Sequence, residues 1–113
     1  MKKERKIQAY GSYFQEFLSS IGDDVKKKVF YVLDMLKTGE MISEKFVKKL
    51  RDDIYELRVK VGSNIYRVFF IFDKGNIVVL FHGFQKKTQK TPQNELEKAI
   101  RLKNEYYEQK RDC

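Results

Sequence analysis

At Asp52-Asp53 the spacing of apolar residues changes from helical to alternating, and this single switch constrains the fold more than any other feature of the chain. Before it, apolar residues recur every three or four positions. Tyr13, Phe14, Phe17, Leu18 and Ile21 form one stripe, with Ser12 placed to cap it. Gly22 ends that segment and Asp23 can open the next, where Val25, Val29, Val32, Leu33 and Leu36 form a second stripe closing at Thr38-Gly39. The pair reads as a helical hairpin. Ser43, with Phe46, Val47 and Leu50 behind it, suggests a short extra turn or helix. After the switch, Tyr55, Leu57, Val59 and Val61 alternate with Glu56, Arg58 and Lys60, which makes a strand with one buried and one polar face. Gly62-Ser63-Asn64 is a hairpin connection. Ile65 to Phe72 is apolar except for polar-tipped Tyr66 and charged Arg67, and Asp73-Lys74-Gly75-Asn76 turns the chain again. Ile77 to Phe84 is the third strand of this meander. Thr91 as cap and Pro92 in the first turn then introduce a last amphipathic helix through Leu96, Ala99, Ile100, Lys103, Tyr106 and Tyr107, with Gln109 to Cys113 expected to fray. Ile7 and Tyr10 fit a short edge strand at the start. Segregated helices and strands of this kind predict an α+β fold, a helical hairpin on a small antiparallel sheet with a C-terminal helix, in one domain spanning 1–113.

Nine Phe and seven Tyr supply a core and argue against disorder. The longest apolar runs, Val68 to Phe72 and Ile77 to Phe81, are far too short to cross a membrane. Met1 to Lys6 is basic with no apolar stretch behind it, unlike a secretory signal. With Cys113 as its one cysteine the chain cannot form an internal disulfide, which fits a cytoplasmic location. One His and one Cys do not make an N/S zinc site, so no metal or cofactor is expected. The net charge of +8 invites a polyanion. No acidic residue occurs from Lys74 to Asn94, whereas Lys74, Lys86, Lys87 and Lys90 all do. Lys26 to Lys28, preceded by Asp23 and Asp24, reads as a solvated helix face.

Two arginines stand out. Arg58 belongs to the polar set of its strand, and Arg67 interrupts a run of Ile, Tyr, Val and Phe. A guanidinium in such a run is costly unless it is paired or faces open space. Folded over Gly62 to Asn64, the two can project from one face of adjacent strands and grip a phosphate as a fork. Arg67 could instead pair with Glu56 or Asp73 across the sheet. The third strand ends in His82-Gly83-Phe84-Gln85-Lys86-Lys87. Gly83 permits a close approach or a bulge. Phe84 beside two lysines suits base stacking on single-stranded nucleic acid, or it could plug the end of the core. His82 has an ordinary pKa suited to proton transfer.

These residues carry a resemblance. Tyr55-Glu56-Leu57-Arg58-Val59, Ile65-Tyr66-Arg67-Val68-Phe69 and His82-Gly83-Phe84-Gln85-Lys86-Lys87-Thr88-Gln89-Lys90-Thr91-Pro92, with Glu95, Ala99 and Ile100 behind them, resemble the RelE/ParE toxin superfamily, nearest to its HigB-like, phage-derived branch. The resemblance spans nearly the whole chain. It implies the toxin of a toxin–antitoxin pair, a metal-independent endoribonuclease that enters the ribosome and cuts mRNA through the RNA's own 2′-OH, leaving a 2′,3′-cyclic phosphate. It also implies an antitoxin partner, of helix-turn-helix type in the HigB-like branch. In the ParE-like alternative the protein would poison DNA gyrase without nuclease chemistry. Carried over by position, Arg58, Arg67, Lys87 and His82 are the expected catalytic residues, and Lys60, Phe84, Lys86 and Lys90 the expected RNA contacts. Glu56 departs from the pattern, standing where a RelE-like chain has a lysine.

Overall fold

The structure is a computed structural model that describes residues 4–39, 42–87, 90 and 92–111. Its elements run β1 (Lys6–Ala9), α1 (Tyr13–Ser19), α2 (Asp23–Thr38), β2 (Val47–Lys49), β3 (Tyr55–Val61), β4 (Asn64–Asp73), β5 (Ile77–Lys86) and α3 (Gln93–Arg111). The strands form a sheet in the order β1-β5-β4-β3-β2. The expected α+β architecture and three-strand meander are present, with Arg58 opposite Arg67 and Leu57 opposite Val68 in the β3–β4 register.

Five details differ from what the sequence predicts. Of the turn or helix expected at Ser43 to Leu50 the turn is present, and it leads into an unforeseen strand, β2, which pairs antiparallel with the outer edge of β3. Three residues are too few to display a period, and edge pairing with β3 supplies what local pattern cannot. The sheet is not wholly antiparallel, because β1 runs parallel to β5, with Ile7 opposite Val78. The two early helices meet the sheet separately, α1 on β5 and α2 on β3. Ser12 and Gly22 occupy their N-cap positions without a side-chain cap bond, and Asp23 lies inside α2. Finally, α3 does not fray at Gln109. Lys110 Nζ and Tyr106 Oη both donate to Asp73 Oδ2 at 2.6 Å, which anchors the last turns to the end of β4. The Thr91 cap and Cys113 lie outside the described residues.

Alternation along β3 and β4 sorts the core onto two faces. Leu57, Val59, Tyr66, Val68 and Phe70 pack with Phe14, Phe17, Val29, Val32 and Leu36 under α1 and α2. Ile54, Phe69, Ile71, Val79 and Phe81 pack under Leu96, Ala99 and Leu102 of α3. At the switch between the two periods, Asp52 and Asp53 both adopt left-handed backbone (φ 58° and 60°), a conformation Asp tolerates better than most residues. Arg5 closes the far end of α2 by donating from Nη1 to the carbonyls of Leu36 (2.7 Å) and Gly39 (2.5 Å), satisfying groups a helix C-terminus leaves unpaired.

One irregularity positions the site. Val68 pairs with Gly83 and Phe70 with Leu80, so β5 sets both Phe81 and His82 against Phe69. This is a β-bulge, and it moves the alternation of β5 by one residue. Without it, Phe84 and Lys86 would point beneath α1. With it, Phe84 falls on the face of Arg67 and packs toward the α3 core. Gly83 in turn faces α1, where a Cβ would lie 2.6 Å from the Phe17 ring, so both sequence-level readings of this glycine hold.

A candidate nucleic-acid cleft on the open half of the sheet

The helix α3 covers only part of its face of the sheet. Beyond it the same face continues as Glu56, Arg58 and Lys60 on β3, Arg67 on β4, and Phe84 and Lys86 on β5. Arg58, Arg67 and Phe84 form one row across three strands, and Lys60, Ile65 and Lys86 form the next. Antiparallel neighbours directly opposite one another project to the same side. The predicted pair of guanidiniums on one face is therefore present.

The pair is not bare. Glu56 Oε1 lies 3.2 Å from Arg67 Nε and 3.4 Å from Arg58 Nε, and the carboxylate is 1% exposed. Of the two acids the sequence offers Arg67, Glu56 is its partner and Asp73 serves α3 instead. Neither Nε–H aims squarely at the oxygen, so these two Nε contacts are ionic rather than aligned hydrogen bonds. One carboxylate between two guanidiniums leaves an excess of positive charge. Arg58 further donates from Nη1 to the Glu44 carbonyl at 3.0 Å, and Arg67 from Nη1 to the Tyr66 carbonyl at 3.2 Å. Burial lowers the Arg67 pKa, Glu56 opposes that shift, and Arg58 adds to it. Arginine stays charged regardless.

An open cleft of about 460 Å³ borders this pair, lined by Lys28, Lys45, Phe46, Arg58, Lys60, Ile65 and Arg67 among others. It lies at the part of β3 that β2 does not reach. Every charged residue among those lining it is a cation. The volume suits a small ligand or one segment of a larger one.

On the other flank, Lys86 is half-buried. Burial lowers its pKa, as do Arg67, Arg58 and Lys48, while Glu56 pulls it back up. The cation whose titration responds to the arginines is thus Lys86, while Lys87 stands exposed just past the strand end. Lys90 is exposed as well. Lys48, paired in register with Glu56, and Lys45 in the cleft wall are not singled out by the sequence, and Lys28, expected on a solvated helix face, lines the cleft as well. Lys48 belongs to a strand too short to foresee, and no local signal ties Lys28 on α2 to the sheet.

Phe84 is half-buried, its ring 5.4 Å from that of Phe69 and 6.2 Å from that of His82. It plugs the core end and keeps part of its surface open. His82 is 5% exposed. Its Nε2 is 3.2 Å from Glu95 Oε1, without the alignment of a hydrogen bond. Burial, then the charges of Lys98 and Arg101, push its pKa down to about 4, so it is neutral at pH 7. It sits beneath α3 and does not line the cleft. Tyr106 serves the distant Asp73, and burial and that bond push its phenol up to about 12. Asp73 lies six residue steps along β4 from Arg67, roughly 20 Å of extended chain.

Among the described residues no group of three or more His, Cys, Asp or Glu could hold a metal ion, and no helix is long and apolar enough to cross a membrane.

Comparison with known proteins adds three findings. The family described as Phage derived protein Gp49-like (DUF891) matches residues 16–104. Two curated relatives, each a "Probable endoribonuclease HigB1", from Mycobacterium tuberculosis strains CDC 1551 / Oshkosh and ATCC 25618 / H37Rv, are 29% identical over 87 residues, spanning 77% of this chain and 68% of the relative. Among solved structures, the archaeal RelE-RelB complex from Pyrococcus horikoshii OT3 contains a chain that superposes with a TM-score of 0.53 at 16% identity, covering 78% of this chain and 99% of that one. At that identity the likeness concerns the fold, which is RelE-like.

Proposed function

The chain belongs to the phage-derived Gp49-like family, and from that premise we propose that it is the toxin of a toxin–antitoxin pair, an endoribonuclease that cuts mRNA on the ribosome. The observation that carries this reading is the row Arg58–Arg67–Phe84 beside a cleft whose charged lining residues are all cations. Residues 1–113 act as one domain, in the cytoplasm where ribosomes are, with a neutralising antitoxin as partner.

Cleavage through the 2′-OH needs three things: a proton removed from that hydroxyl, stabilisation of the charge that builds on the phosphorane, and a proton delivered to the departing 5′ oxygen. Arg58 and Arg67 supply the second. Their fixed forks, set by Glu56, meet the phosphate without reorganising at the moment of reaction. Lys86 supplies the third, and the proton of the 2′-OH passes to solvent water as its oxygen bonds to phosphorus. Burial and the neighbouring cations lower the Lys86 pKa, which eases release of its proton. Phe84 stacks the base beside the scissile bond, and Lys60, Lys87 and Lys90 hold the backbone. His82 is buried and neutral, and acts by seating Phe84 rather than by transferring a proton. The ribosome contributes by holding the strand in line for attack.

The test is expression of the chain with and without Arg58→Ala, followed by mapping of 5′ ends of cellular transcripts. Codon-phased cuts are expected, reduced about 10²–10³-fold in the variant by analogy with loss of one oxyanion donor. Gyrase-trapped DNA breaks in place of RNA cuts would overturn the reading in favour of a ParE-like poison.

A further inference from the structure

Most of the outer surface of α2 is charged, yet it also carries Phe30 and Tyr31, which are 52% and 56% exposed. Together with Tyr107 these are the exposed large hydrophobic residues among the described part of the chain. Neither aromatic contributes to the core, whose α2 side is made by Val25, Val29, Val32, Leu33 and Leu36. The lysine run that precedes them is continuous with the cleft. Lys28 lines the cleft wall opposite Arg58 and Arg67, and its Nζ sits 5.4 Å from the centre of the Tyr31 ring. A single side chain therefore joins the arginine site to Tyr31, and Phe30 precedes Tyr31 on the same helix.

We infer that α2 carries a second strand-binding subsite, in which Tyr31 and Phe30 stack bases of single-stranded RNA that flank the nucleotide held in the cleft, while Lys27 and Lys28 follow the backbone between them. This rests on the proposed RNA-cutting role of the arginine face and adds to it where the remainder of the substrate runs. Three observations favour RNA over a protein partner. The aromatics are flanked by cations, the composition of a stacking platform for single strands. The cleft that Lys28 shares with the arginines has no lining carboxylate. The cation–π contact holds Tyr31 against Lys28, which limits the ordering needed when a base arrives. Three carboxylates lie on α2 itself, Asp23 and Asp24 one turn before Lys27 and Lys28, with Asp23 4.0 Å from Lys26, and Asp34 one turn beyond the aromatics.

The test uses the full chain and two labelled oligonucleotides, three and eight nucleotides long, made of 2′-O-methyl RNA so that neither can be cut. Fluorescence anisotropy reports affinity. The unaltered protein should bind the longer strand more tightly. Tyr31→Ala with Phe30→Ala should weaken the eight-mer by about 5- to 150-fold per lost stack and leave the three-mer unchanged. Tyr31→Phe, which keeps the ring, should retain most of the advantage. Because both side chains are exposed, the variants should fold, which circular dichroism checks. Arg67→Ala separates the two levels of the argument, since it should weaken both lengths alike. If Arg67→Ala weakens both lengths while the α2 variants change neither, the subsite is wrong and the arginine cleft stands. If Arg67→Ala has no effect, or if the unaltered protein binds neither length, the cleft reading and the subsite fall together. Should the α2 variants bind both oligonucleotides normally but lose a neutralising partner protein, this face docks a protein and the inference is overturned.

Discussion

Replacing Glu56 by Gln is the most informative single perturbation of this fold. The carboxylate is 1% exposed, and it stands between Arg67, whose side chain is 8% exposed, and Arg58 at 28%. Gln keeps the shape and removes the charge. Two guanidiniums on directly opposed positions of β3 and β4 would then share a half-buried site with nothing negative between them. Breaking a buried ion pair by removing one partner costs about 3–5 kcal/mol, because an uncompensated charge stays behind. Partial exposure of Arg58 lets water screen its half of the repulsion, so the lower end, about 3 kcal/mol, is expected. For a chain of this length that corresponds to a fall in melting temperature of roughly 12 °C. Urea unfolding at pH 7 is the direct assay, with Arg58→Ala and the double variant completing a cycle. The double variant should recover part of the loss, since taking away Arg58 relieves Arg67. A loss below about 1 kcal/mol for Glu56→Gln would refute the idea that this carboxylate holds the pair together.

Two further outcomes follow from the buried polar groups. The folded His82 has its pKa lowered to about 4 against about 6.5 when unfolded, so its contribution to stability is complete above pH 6.5 and is lost as pH falls toward 4. Urea midpoints between pH 4 and 7 should show an acid-side loss of about 3 kcal/mol that His82→Phe removes. Tyr106→Phe deletes the 2.6 Å bond to Asp73 Oδ2 but leaves that of Lys110, so it should cost about 1 kcal/mol in urea unfolding, and transcript cleavage should be unchanged because Asp73 lies at the other end of β4.

The sheet geometry also explains the bulge at Phe81-His82. Were β5 to run unbulged with the same residues, Phe84 and Lys86 would turn to the α1 side of the sheet and His82 would fall opposite Val68, where the Phe17 ring leaves room for nothing beyond glycine. The bulge therefore both shapes the site and is held in place by the core.

Much of this molecule is legible in its residues alone. The change of period at Asp52-Asp53, the turn residues Gly62 to Asn64 and the placement of Arg58 and Arg67 on one face all follow from the alternation of a strand, because adjacent side chains of a strand must point to opposite sides. Those are local consequences of backbone geometry, and the structure agrees with them. What tertiary structure alone decided are the non-local contacts: β2 on the edge of β3, β1 parallel to β5, Glu56 between the two arginines, and Lys28 of α2 brought to the cleft wall. The bulge belongs with them, since one extra residue in β5 acquires meaning only against the register of β4. Periodicity tells a side chain which way to face, but its neighbours are set by pairings between strands and helices far apart in the chain, and no window of sequence contains both halves of such a pairing.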